Sequence, residues 1–176
     1  DANMRRIDSA ERSGRNPITE QTEKLRMNTA MTPAMACRML ASVECDLALE
    51  KGEEPPSGPF NYPLLTGGED MPGAFRSIPV LPEHVKHNIV AVKNPVTGVM
   101  MYAVFWACLF GFESSVYNFG RWSCFLEAVC RRIGMVLWSM YVDDGNIIDF
   151  TAAGKRGQRL VHTIFGCCGA KLSERK

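Results

Sequence analysis

Tyr141-Val142-Asp143-Asp144-Gly145 constrains this chain more than any other stretch. An apolar run at 134–140 precedes it and a second, at 146–150, follows. Apolar runs on either side of a short turn spell a β-hairpin, and Gly145 is expected to relax the backbone just past the acids. The two carboxylates then sit side by side at the tip. Charges crowded in this way repel unless a proton or a cation intervenes. Mg²⁺, which takes one or two carboxylates together with substrate phosphates, is the natural partner. An Asp-Asp turn that is merely solvated is the alternative, because a short motif alone is weak.

The rest of the chain intermixes helices and hairpins. A helix is expected from Pro33 to about Lys51, with Met35, Met39, Val43 and Leu47 recurring every four residues and Gly52 ending it. That stripe reads as core packing. Residues 52–68 are rich in Pro and Gly and read as loop, with a short strand at 62–65. Strands at 87–92 and 99–105 flank Asn94-Pro-Val-Thr-Gly98, whose composition is that of a hairpin turn. The apolar stretch 99–112 is too short for a membrane span of about 20 residues and reads as a buried strand running into a core loop. A helix over 113–132 places Val116, Phe119, Phe125 and Val129 near one face, with Gly134 as its stop. A last helix is expected from a Thr151 cap to about Phe165, ended by Gly166 or Gly169. This order implies an α+β fold built on an antiparallel sheet.

Composition narrows the function classes. The 176 residues suffice for one domain or one piece of a larger protein, and the start at Asp1 suggests a fragment. A net charge of +1 makes no global case for nucleic-acid binding, though Arg and Lys cluster locally, as at Arg131-Arg132. The seven cysteines are odd in number and lack C-x-x-C spacing, so reduced, mostly buried thiols in a cytoplasmic or nuclear setting are expected.

Taken in order, the motifs resemble the palm of a reverse transcriptase. Tyr141-Val-Asp143-Asp144 matches that family's most recognisable signature. Asp70, followed by Ala74-Phe75-Arg76-Ser-Ile-Pro-Val-Leu-Pro-Glu83, is similar to its first catalytic motif. Lys93-Asn-Pro-Val-Thr-Gly98 resembles a hairpin of retrotransposon enzymes, and Phe110-Gly111 with Ser115 and Phe119 resembles the element opening the next helix. Arg6-Ile7-Asp8 and the segment 169–176 are fainter matches.

The resemblance implies an antiparallel palm with helices packed on one face, residues 61–176 forming the palm and residues 1–60 part of the fingers. It implies a retrotransposon-like RNA-directed DNA polymerase, a nucleotidyltransferase using two Mg²⁺ ions, with Mn²⁺ as a substitute. Asp70, Asp143 and Asp144 would be the catalytic metal ligands, with Asp143 primary and Asp144 secondary. Phe75, Arg76, Gly111, Tyr141 and Lys176 would meet substrate, Phe75 excluding a 2′-hydroxyl and so selecting dNTPs. The partners implied are an RNA or DNA template–primer duplex and a dNTP, with no membrane. Thumb and RNase H elements are not recognisable in these residues, so weak or no polymerase activity is expected of this piece alone. The chain departs from the family at Thr66-Gly-Gly-Glu69, where apolar strand residues usually lead into the Asp, and at Pro72. Glu69 thus adds a competing carboxylate. Two other readings remain: a catalytically decayed palm-like relic that binds nucleic acid, and an unrelated α+β interaction domain.

Overall fold

The computed structural model describes residues 16, 24, 27–57 and 63–173. The fold is mixed α+β, with two small antiparallel sheets. In chain order the elements are α1 (Met31–Lys51), β1 (Leu64–Asp70), β2 (Ile89–Lys93), β3 (Met100–Val104), α2 (Glu113–Arg132), β4 (Leu137–Tyr141), β5 (Asp144–Phe150) and α3 (Arg156–Cys167). The chain groups into two compact units that interleave in sequence. One contains residues 1–25 and Gly73–Arg121; the other contains Arg26–Pro72 and Trp122–Lys176. No helix among the described residues is long and apolar enough to cross a membrane.

In the first unit β2 and β3 form the expected hairpin, from Ile89 opposite Val104 to Lys93 opposite Met100. Asn94 builds its turn: Oδ1 accepts from the backbone N–H of Val96 at 2.9 Å and of Thr97 at 3.1 Å. Gly98 takes a φ of 71°, which glycine adopts without a steric cost. The buried Asn88 amide ties the hairpin's base to the chain beyond it, donating to the carbonyls of Phe105 at 2.9 Å and Ala107 at 2.8 Å. The expected buried strand is corrected here. Every residue of β3 is exposed, since a two-stranded sheet has no third layer to cover it, and burial begins only at Cys108 and Leu109.

In the second unit the strands order as β1-β5-β4, with β5 central. Trp138 and Phe165, both fully buried, meet edge to face at 5.6 Å and join β4 to α3. The outer edge of β4 is closed by side chains. Glu127 accepts from the Met140 N–H at 3.0 Å, Arg131 donates to the Trp138 carbonyl at 2.7 Å, and Asn28 donates to the Met140 carbonyl at 2.9 Å. Satisfying those edge groups blocks further strand pairing.

Four more expectations need correction. The α1 stripe is solvent-facing, Met35 and Met39 being 66% and 55% exposed, because the helix turns the smaller Ala36, Cys37, Ala41 and Ala48 inward. Phe125 is exposed too; the buried α2 stripe is Ser115, Phe119, Ser123, Leu126 and Cys130. Thr151 starts a separate 3-10 turn, and α3 begins only after Gly154, with Lys155 at its N-cap and no capping side chain. None of the seven cysteines forms a disulfide, but only Cys108 and Cys130 are buried. Burial pushes the Cys130 thiol up to about 11, with Cys168 and Glu127 adding to the shift.

Candidate functional site

β1 extends across the Thr66-Gly-Gly-Glu69 stretch that lacks apolar strand residues, beyond the short strand expected. Gly67 makes this possible: a Cβ there would lie 2.9 Å from the Ile147 side chain, so a residue without one allows the strands to close. The pairing runs from Leu64 opposite Phe150 to Asp70 opposite Asp144. Just past that pair the Met71 N–H donates to the Asp143 carbonyl at 3.1 Å. Because backbone bonds alternate along an antiparallel ladder, Asp70 and Asp144 form a non-hydrogen-bonded pair, the kind that brings side chains closest. Their Cβ atoms share one sheet face, about 4.5–5.5 Å apart for pairs of this type.

Tyr141 and Asp144 pair directly at the mouth of the β4–β5 hairpin, so Tyr141 shares the acids' face. Val142 and Asp143 are the two central turn residues. Val142 has a φ of 56°, and it alone of the two is positive, the pattern of a type II′ turn, which normally takes glycine there. A β-branched residue in the left-handed region stores strain, of order 1–3 kcal/mol. Two contacts hold it: the Ser123 hydroxyl of α2 donates to the Val142 carbonyl at 3.3 Å, and Met71 engages the Asp143 carbonyl. The structure thus sets Asp144 on the strand opposite Asp70 and Asp143 in the turn itself.

A cleft of about 700 Å³ opens beside Tyr141 and Asp144. Gly68, Asn146 and Ser139 form a row across the three strands along it, and Asn28 and Pro33 line its other side. Asn146 Oδ1 is buried there with no hydrogen-bond partner. Alternation sends Glu69 to the opposite face from Asp70, where it is buried against α3. It therefore does not compete with Asp70 for a ligand. Sequence reasoning also missed Ser123 and Asn28, neither of which carries a motif.

The donor set suits a hard divalent cation: carboxylate oxygens from Asp70 and Asp144 on adjacent strands, with Asp143 next to them. Among the described residues, however, no three His, Cys, Asp or Glu side chains are grouped so as to hold a metal. The backbone brings the acids together; the three carboxylates do not converge as a ready-made ligand shell.

Phe75, Arg76 and Gly111 belong to the first unit. Phe75 is half-buried in an aromatic cluster, edge-on to Phe110 at 4.9 Å and to Phe119 at 5.4 Å. The Arg76 guanidinium lies over the rings of Phe105 and Phe110, 5.4 and 6.0 Å from their centroids. Gly111 has a φ of 86°, and its carbonyl accepts from the Asn16 amide at 3.0 Å. Asn16 Oδ1 accepts from the Glu113 N–H at 3.3 Å, so one side chain spans the entry to α2. Lys176 lies outside the described residues. No protein-family model and no curated protein sequence matches this chain.

Proposed function

We propose that this chain is the palm-like portion of an RNA-directed DNA polymerase, joining a dNTP to a primer 3′-hydroxyl on an RNA or DNA template. One observation carries the reading: Asp70, 74 positions away in sequence from Asp144, is its direct cross-strand partner, beside the Asp143 turn. Like charges directly opposite each other destabilise a sheet unless something offsets them. Asp70, Asp143 and Asp144 are the residues that would hold Mg²⁺, or Mn²⁺ in its place. Two such ions would supply activation of the primer hydroxyl and neutralisation of charge on the leaving pyrophosphate. Tyr141, exposed on the acids' face, offers a ring and a hydroxyl to a bound nucleotide. By the resemblance in sequence alone, Phe75, five residues after Asp70, would discriminate the sugar, and Arg76, Gly111 and Lys176 would meet substrate.

Single-nucleotide incorporation on a template–primer, with Mn²⁺ at saturation, tests this. Low but metal-dependent incorporation is expected from the wild type, falling at least about 100-fold in Asp70→Asn, as when one charge-stabilising group leaves an active site. Equal incorporation by both proteins contradicts the assignment. Among the described residues no three acidic side chains are grouped to hold a metal, which favours a second reading, a decayed relic that binds nucleic acid without catalysis. Duplex binding unchanged in Asp70→Asn, with no incorporation by the wild type, selects it.

A further inference from the structure

Two acids stand next to each other at the end of β1, and only one can face Asp144. Side chains alternate along a strand, so a slip of one residue would put Asp70 in the place of Glu69, opposite Gly145 on the α3 face, send Glu69 to the face Asp70 now occupies, and leave Met71 opposite Asp144. The β1 sequence does little to prevent this. Leu64 and Leu65 are adjacent and give no alternation, and Gly67 and Gly68 have no side chains. Gly-rich strands are weakly specified in register.

We propose that Glu69 is the positioning residue that fixes this register, through a polar clamp to α3, and so holds Asp70 opposite Asp144; its bearing on cation binding rests on the function proposed above. The Glu69 side chain is 2% exposed, and His162 Nε2 lies 3.1 Å from its Oε1. Gln158 Nε2 donates to the same oxygen. Residues 158 and 162 are one helical turn apart, so both project from α3 toward one point. Opposite Glu69 on β5 stands Gly145, and a Cβ there would run into the Trp138 ring, so the wall beside the carboxylate is rigid and apolar. A carboxylate buried there without its donors is strongly disfavoured. Asp is one methylene shorter than Glu, so Asp70 in the slipped register would fall short of the same donors. The clamp therefore distinguishes two adjacent acids by length.

The test is the cross-strand Hα–Hα NOE between residues 70 and 144 in isotope-labelled whole chain, a direct reading of register, with Mn²⁺ affinity measured alongside. The NOE is expected in the wild type and in Glu69→Gln, which still accepts both hydrogen bonds. In the double variant Gln158→Leu/His162→Leu it is expected to weaken or to be replaced by a shifted set, with Mn²⁺ binding at least tenfold weaker. A double variant that is folded and keeps the 70–144 NOE at full strength overturns the proposal. If that variant does not fold, Glu69→Leu, which can enter the α3 pocket as an apolar side chain, is read in the same way. A register that shifts while the wild type binds no Mn²⁺ sustains the clamp and overturns its cation role.

Discussion

Gly145 shows at the scale of one residue how sequence and structure divide the work. Its place after two acids suggested a glycine needed for backbone freedom. The positive φ belongs instead to Val142, and Gly145 is needed because the Trp138 ring occupies the space its Cβ would take. A close approach between neighbouring strands depends on which tryptophan rotamer the core selects, and no local pattern encodes that. Gly145→Ala is therefore expected to force the ring from its contact with Phe165 and to cost about 1–3 kcal/mol, the range for overpacking a filled core. Urea denaturation measures it, and an unchanged midpoint would show that the ring moves aside freely. Asp70, Asp143 and Asp144 were legible as acids flanking short motifs. Their helpers were not: Ser123 acts through one hydroxyl on the Val142 carbonyl, and Asn28 through an amide on Met140.

At the scale of elements, legibility followed how local each signal is. The β2–β3 turn was readable because Asn94 and Gly98 build it within five residues, and α2 because apolar spacing and Gly134 mark it. β1 was read too short because its strand character comes from pairing with β5, a contact some 80 residues away, against weak intrinsic propensity. The α1 stripe has the spacing of a core face, yet the helix packs by its small residues. Periodicity identifies a face without saying which face meets the sheet. Met39→Lys follows from this: at an exposed position, a change within about 0.5 kcal/mol is expected by the same denaturation assay. A loss of several kcal/mol would mean that the stripe is covered.

At the scale of the whole molecule, the mixed α+β class with antiparallel sheets was legible, since alternating strand and helix signals joined by short turns admit few other architectures. The interleaving of two units was not, because it requires the chain to leave one unit at Pro72 and return at Trp122, within a continuous helix. The acidic corner lies wholly in the second unit, so its defining property is measurable without reference to the first. The most direct measurement is Mn²⁺ binding to the whole chain, followed by electron paramagnetic resonance, in the wild type, Asp70→Asn and Asp144→Asn. Saturable binding by the wild type, weakened at least about tenfold (about 1.4 kcal/mol) in each variant, is the expected result. Equal affinity in all three proteins, or no binding by the wild type, contradicts the assignment of Asp70 and Asp144 as joint ligands of a divalent cation.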